Sequence, residues 1–293
     1  MTDPGATLPG IAELAAEPVP DIRLIVADMD GTLLDGNHEL HDELWPLLAE
    51  LDRRDILFCP ASGRHHVSLR SYFAETAPDV TYIAANGAHV LRGDTELHSD
   101  CVAPVLAREV LTVMRDVDDA QAVLVGRRTA FIHQSDQQTF RWIHDYVPPL
   151  TVVDDIVDSV DVLLARGDAI LNVGIFDNRS AEQNSLVALA GLRDRLCVMA
   201  TQPTWVDVVS PTASKGHAVA ALQRDRGIGP DQTLVFGDFL NDLTMFEHAT
   251  YGVAMENAHP LVKQRASWVA PPNTANGVVR SIRALLDMPN PLG

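Results

Sequence analysis

The chain has 293 residues, enough for one large domain or two smaller ones, and 46% of them are hydrophobic, so it can bury a sizeable core and is not disordered as a whole. Its formal charge of −18 argues against nucleic acid or an anionic membrane surface as a partner, because both are bound through basic patches. No apolar stretch approaches the length of a membrane span, and residues 1–20 lack a basic region followed by an apolar core, so no signal peptide is expected. Cys59, Cys101 and Cys197 are sparse and far apart, which fits a reducing compartment better than a disulfide framework and makes the cytoplasm the default location.

In chain order, residues 1–20 read as a mobile lead rich in Pro, Gly, Ala and Glu. Leu24-Ile25-Val26-Ala27 is a short apolar run of the kind that forms a buried parallel strand, and it ends abruptly at Asp28-Met29-Asp30-Gly31-Thr32. A helix is expected over residues 42–54, with Pro46 tolerable only in its first turn. A strand over 56–61 runs into Ser62-Gly63-Arg64, a helix follows to Glu75, and a strand over 81–85 ends at Asn86-Gly87. This opening is βαβαβ, the signature of a parallel sheet with right-handed crossovers.

The middle is built differently. A hairpin is expected over 88–97 with Arg92-Gly93-Asp94 at its turn, then a helix over 104–117 and two strands over 122–132 broken at Gly126-Arg127-Arg128. A helix near 137–146 is stopped by Pro148-Pro149, and no further element is read until a strand over 169–176. A helix over 181–193 and strands over 196–200 and 204–209 complete the segment. From Ser214 the simple alternation returns: a helix to Arg226, a strand over 233–236 ending at Gly237-Asp238, a helix to His248, a strand over 252–255, a short helix from Pro260, a strand over 268–270 and a closing helix over 277–286. The pattern predicts an α/β protein with a Rossmann-like doubly wound parallel sheet over 21–87 and 210–293 and an inserted α/β layer over 88–209.

Side chains two apart on an extended segment leave the same face, so Asp28 and Asp30 place two carboxylates at the carboxyl end of a strand, where open α/β sheets bind their ligands. Such a pair repels unless a cation lies between, and hard oxygen ligands suit Mg²⁺. Ser62-Gly63-Arg64, Lys215 at a helix start and Gly237-Asp238-Phe239-Leu240-Asn241-Asp242 would converge on the same sheet edge. Taken singly, each has an ordinary explanation as a turn, a solvated lysine or a helix cap. Together they suit phosphoryl transfer, whose catalysis is mostly positioning plus cations and N–H donors. In that chemistry Mg²⁺ between Asp28 and Asp238 shields the nucleophile, Asp28 attacks phosphorus, and Asp30 serves as acid and base. Ser62, its neighbouring N–H groups and Lys215 hold phosphate oxygens.

Asp-x-Asp-Gly-Thr-Leu, Ser-Gly-Arg, Ser-Lys-Gly and Gly-Asp-x-x-Asn-Asp, in this order, resemble the four motifs of the haloacid dehalogenase superfamily of phosphatases. Asn86-Gly87-Ala88, Val253-Ala254-Met255-Glu256-Asn257-Ala258 and the long insert between Ser62 and Lys215 are similar to its Cof-type members, in which the insert is an α/β cap. The resemblance implies Asp28 as nucleophile and Asp30 as acid/base, with an Asp30 backbone carbonyl on the metal. It implies Asp238 as a metal ligand, Ser62, Gly63 and Lys215 at the phosphate, and Asn241 and Asp242 supporting the phosphate and metal shell. Ser62 stands where threonine is common and keeps the hydroxyl, while Phe239-Leu240 is bulkier than usual in that loop. Arg64 is a candidate substrate contact.

Outside this set, His38, His41, His65 and His66 show no zinc-site spacing and read as surface or satisfied polar residues; Trp45, Trp142 and Trp205 read as packing, and Arg127-Arg128 as a solvated hairpin tip, with a substrate contact as the alternative. The expected activity is Mg²⁺-dependent hydrolysis of a small phosphomonoester, with a phosphomutase on the same scaffold or a non-catalytic phosphometabolite sensor as alternatives. Neither the metabolite nor the oligomeric state is legible in the sequence.

Overall fold

A computed structural model describes residues 10, 20–133, 140, 143 and 149–288. The chain separates into two compact units: Met1–Ser62, Tyr72–Tyr82 and Lys215–Gly293 form the first, and Gly63–Ser71 with Ile83–Ser214 the second.

In chain order the strands are β1 (Leu24–Asp28), β2 (Leu57–Ala61), β3 (Thr81–Ala84), β4 (His89–Arg92), β5 (Thr95–Ser99), β6 (Ala120–Gly126), β7 (Ala130–His133), β8 (Leu150–Val153), β9 (Ile170–Asp177), β10 (Cys197–Gln202), β11 (Trp205–Val209), β12 (Thr233–Gly237), β13 (Tyr251–Met255) and β14 (Trp268–Ala270). In the first unit the order β14-β13-β12-β1-β2-β3 puts β1 at the centre, paired in parallel with β12 on one side and β2 on the other. The chain winds outward from β1 in both directions, so the order reverses between β1 and β12. That reversal opens the crevice in which α/β sheets bind ligands. All five residues of β1 are buried, as an apolar run flanked by neighbours and helices must be.

The helix Leu44–Arg53 buries Leu44, Leu47 and Leu51 at helical spacing, and Pro46 sits in its first turn, where its missing N–H is no loss. The helices Lys215–Arg226 and Gly277–Leu285 complete the unit's longer helices. At the sheet's edge β14 is only three residues long, and Gly10 forms a parallel bridge with its central residue, Val269.

The second unit holds the β4–β5 hairpin and a six-stranded sheet of order β10-β11-β9-β6-β7-β8, antiparallel except where β8 runs parallel to β7. The helix Pro104–Arg115 opens on a proline, where the ring costs nothing, and lays Ala107, Val110, Leu111 and Met114 against Leu124, Val173, Ile175, Val206 and Val208.

Three expectations need correction. The segment expected as a helix over 181–193 is a four-residue helix, Ser185–Ala188, followed by a 3₁₀ turn, Ala190–Leu192. The buried Asp177 carboxylate ending β9 takes the N–H groups of Arg179, Ser180 and Ser185 and the Ser185 hydroxyl, so the chain wraps around the acid before a helix can start. The helix expected after Asp238 is likewise short, Leu243–Phe246, because a 3₁₀ turn over Leu240–Asp242 serves the loop first. The stretch left without elements contains β8 and the helix Ser159–Ala165; β8 buries none of its residues and shows no apolar alternation, though its Thr and Val are good strand formers. The helix expected near 137–146, Trp142 and all of the lead over 1–20 except residues 10 and 20 lie outside the described residues.

Gly277 starts the closing helix immediately after Asn276, which has a left-handed φ of 56°. A Cβ there would lie 1.9 Å from the Pro271 carbonyl oxygen, a backbone atom that cannot rotate away. Gly277→Ala is therefore expected to cost about 1–3 kcal/mol, the usual range for overpacking, read as a lower urea midpoint with an unchanged slope.

Candidate active site

The register of the first sheet brings the sequence motifs together. Asp28 is the last residue of β1 and pairs with Ala61 of β2, so Ser62 follows directly beyond its neighbour. On the other side Ala27 pairs with Phe236 of β12, so Asp238 leaves the sheet one residue past the strand's end. The turn after Asp28 passes close to Asp238: Gly31 has φ 83°, and a Cβ on it would lie 2.5 Å from Asp238 Oδ2. Only glycine meets both demands. Thr32 then donates its hydroxyl to Asp238 Oδ1 at 2.8 Å.

Lys215, fully buried at the start of its helix, donates Nζ to Asp28 Oδ1 and to Asp242 Oδ1, the latter at 2.6 Å. The other oxygen of Asp242 accepts the backbone N–H groups of Asp238 (2.9 Å) and Phe239 (3.0 Å), which fixes the loop that carries Asp238. Carboxylate oxygens of Asp28, Asp238 and Asp242 lie within 4.8 Å of one another, the single group of this kind among the described residues. Asp30 is half-buried beside His38, whose Nδ1 is 3.3 Å from its carboxylate.

Of the residues singled out in the sequence, Asp28, Lys215, Asp238 and Asp242 thus form one contiguous cluster. Ser62 is buried at the end of β2 and Asn241 is half-buried in the turn before Asp242, both in the first unit. Gly63 and Arg64 belong to the second unit, where the Arg64 carbonyl accepts the Ala85 N–H.

Asn257 and Thr32 were not assigned roles from the sequence. Asn257 donates Nδ2 to the Gly31 carbonyl at 2.7 Å, and its oxygen accepts the Asn273 N–H, so the β13 loop buttresses the first turn. Its neighbourhood in the Val253–Ala258 motif was the available signal.

A family model described as haloacid dehalogenase-like hydrolase matches residues 25–282. The chain belongs to that family. Among curated relatives, an HMP-PP phosphatase of Citrobacter koseri is 30% identical over 240 residues, covering 81% of this chain and 85% of the relative. The 5-amino-6-(5-phospho-D-ribitylamino)uracil phosphatase of Escherichia coli is 25% identical over 267 residues, covering 90% and 96%. A haloacid dehalogenase-like hydrolase from Bacillus subtilis shares the fold with a TM-score of 0.78 at 21% identity, covering 89% of this chain and 99% of that one.

In this hydrolase the cluster sets three carboxylates against one ammonium. Burial, reinforced by Asp242, pushes the Asp28 carboxyl well above the usual carboxylate range, and Lys215 only partly draws it back. Burial and Asp242 together raise Asp238 to about 6. For Lys215 burial works against the charged form, but Asp242 and Asp28 outweigh it and hold the ammonium protonated. An all-oxygen, buried, over-negative set of this kind fits a hard divalent cation.

The side chains set aside in the sequence behave unevenly in this enzyme. His65 is buried with Nε2 3.0 Å from the Gly126 carbonyl, and burial lowers its pKa to about 4. His66, whose ring lies 4.3 Å from that of His65, is lowered to about 3 for the same reason. Trp205 packs its ring over Gly174 and donates Nε1 to Asp207. Arg127 is not the solvated turn residue expected: it is half-buried, donates to Ser99 at 2.7 Å and lies 3.2 Å from Glu96. The Asp168 carboxylate takes the backbone N–H groups of Arg127 and Arg128, which turns the Arg127 side chain toward Ser99 and Glu96.

The raised pKa of Asp238 has a signed consequence. Folding takes up a proton there between the ordinary aspartate range and pH 6, so stability is lost as pH rises through that window, and the penalty is fully relieved only below the ordinary aspartate pKa. In EDTA, Asp238→Asn is expected to raise the urea midpoint at pH 7 and to raise it by a clearly smaller amount at pH 5. A gain of equal size at both values would exclude the buried charge as its source.

Proposed function

We propose that this hydrolase is a Mg²⁺-dependent phosphatase that cleaves a small phosphorylated metabolite through an aspartyl-phosphate on Asp28. The observation that carries the reading is the buried Asp28–Lys215–Asp242 contact with Asp238 alongside, at the switch point of the sheet. The phosphatase activities of the Citrobacter koseri and Escherichia coli relatives, both acting on phosphorylated small molecules, support the same class. We assign catalysis to the first unit and substrate selection, as a cap, to the second. The cytoplasm is the proposed compartment on the sparse, free cysteines; among the described residues no helix is long and apolar enough to cross a membrane.

In the proposed reaction a carboxylate oxygen of Asp28 attacks phosphorus in line while the bond to the leaving oxygen breaks, and Asp30 gives that oxygen its proton. Asp30 then takes a proton from water, the water oxygen attacks phosphorus, and the bond to Asp28 breaks to release inorganic phosphate. Ser62, the Gly63 N–H and Lys215 hold the phosphate oxygens, with Asn241 supporting them and Arg64 a candidate contact to the rest of the substrate. Asp28, Asp238 and the Asp30 carbonyl, with Asp242 alongside, would hold Mg²⁺, which would supply the positive charge that lets an anionic nucleophile meet an anionic phosphate. Asp242 also keeps Lys215 aimed at Asp28.

Purified protein is expected to release p-nitrophenol from p-nitrophenyl phosphate with Mg²⁺ and to stop when EDTA is added. Asp28→Asn is expected to lose more than about a thousand-fold in kcat with an unchanged fold, and Asp30→Asn about a hundred-fold or more, in kcat rather than KM. Full turnover by the Asp28 variant would sink the nucleophile assignment.

A further inference from the structure

Asp30 sits in extended backbone just before Gly31, half-buried, and one contact to its carboxyl comes from residues 35–39 of the same unit. Those residues form a closed loop. Leu34 and Leu40 make an antiparallel bridge at its base, the Asp35 N–H donates to the Glu39 carbonyl at 2.9 Å, and the His38 N–H donates to the Asp35 carbonyl at 3.2 Å. Asp35 Oδ1 accepts the N–H groups of Asn37 at 2.8 Å and Glu39 at 2.9 Å, bonds that hold its carboxyl below the usual carboxylate range. Asn273 ties the base to the rest of the unit: its Nδ2 donates to the Leu34 carbonyl at 2.8 Å, and its own carbonyl lies 3.1 Å from His41 Nε2.

Within this loop the left-handed residue is His38, with φ 60°, although Gly36, which takes that backbone at least cost, stands two positions before it. The His38 side chain is 62% exposed, so burial does not repay its backbone; what the conformation achieves is to bring Nδ1 to 3.3 Å from Asp30 Oδ1. A residue held off its preferred backbone, with an exposed side chain against a reacting carboxyl, points to function rather than packing. An ionised carboxyl only accepts, so the hydrogen in this contact is on Nδ1, and a neutral ring carrying it there serves as well as the cation. When Asp30 is in its acid form, the same N–H at Oδ1 favours the carboxyl proton on Oδ2. One donor thus orients the group and selects the oxygen from which the proton leaves. The contact is longer than the usual N–H···O bond, as catalytic hydrogen bonds often are before substrate arrives.

We propose that His38 is a positioning residue for the acid–base step: its Nδ1–H holds Asp30 Oδ1 so that Oδ2 carries the proton to the leaving oxygen. The proposal rests on the phosphatase reading above and deepens it. As an oxygen of Asp28 bonds to phosphorus and the bond to the leaving oxygen breaks, the proton passes from Asp30 Oδ2 to that oxygen, and Asp30 is left ionised against the His38 N–H. The contribution of His38 is therefore confined to leaving groups that need a proton, and it is largest for the most basic of them.

The test uses the full chain with Mg²⁺ and three aryl esters, 2,4-dinitrophenyl, p-nitrophenyl and phenyl phosphate, whose leaving groups need a proton increasingly in that order. His38→Gly keeps the left-handed turn and removes the ring. His38→Asn suits the same backbone and puts an amide N–H where Nδ1 stood, whereas His38→Asp suits it and puts an acceptor there. In His38→Gly, kcat/KM for phenyl phosphate is expected to fall about tenfold or more, while that for 2,4-dinitrophenyl phosphate stays within about twofold of wild type. His38→Asn is expected to recover most of the phenyl phosphate loss and His38→Asp none of it. Wild-type protein that turns over none of the three esters would overturn the phosphatase reading itself. With turnover present, an equal loss on all three esters, no loss on phenyl phosphate, or recovery by His38→Asp as full as by His38→Asn would overturn this proposal alone. Should His38→Gly fail to show a cooperative melt, the Asn and Asp variants, matched in shape and backbone preference, decide the matter.

Discussion

The site depends on one ammonium group. Lys215 Nζ is buried between Asp28 and Asp242, and without it two carboxylates would face each other in a medium that solvates neither. The pair is unlike a surface ion pair, whose worth is small and screened. Here the desolvation penalty is large, so removing one partner would leave a buried charge uncompensated. The cluster is nevertheless left with more negative than positive charge, and the raised Asp28 and Asp238 carboxyls express that imbalance. A fold that maintains such an excess is poised for a cation, and the same excess explains why the surrounding loops are tied so closely. Asp242 fixes the Asp238 loop, Thr32 holds the Asp238 carboxylate, and Asn257 holds the Gly31 carbonyl.

The sheet supplies the positional accuracy. Parallel pairing places Asp28 beside Ala61 and sets the end of β12 next to it, so residues more than two hundred apart meet without any side chain having to reach far. Gly31 then lets the first turn come closer to Asp238 than any other residue would allow. Loops carry much of the chemistry, but strand register decides where those loops begin.

Much of this was legible in the sequence because it is written in short, contiguous pieces. The run ending in Asp28 and the Gly-Asp after β12 each combine an apolar strand with an abrupt polar end, and the βα alternation around them leaves few ways to wind the sheet. The second unit was harder, for physical reasons. Helix and strand periodicity announces apolar faces, whereas the segment after β9 is shaped by one buried carboxylate, Asp177, that captures four donors. Arg127 read as solvated because its partners, Ser99 and Glu96, come from another hairpin. Asp207 was not singled out within the strand expected over 204–209, since alternation says which face it takes but not that four donors wait there. Polar networks assembled from distant segments leave no local pattern.

The edge of the parallel sheet carries a last consequence. Open sheets end in a row of unused backbone donors and acceptors, a template on which a foreign strand can add and seed aggregates. Here β14 offers only three residues, and the bridge from Gly10 to Val269 already occupies the middle of them. Gly10 thereby covers part of the border through which the enzyme could otherwise polymerise.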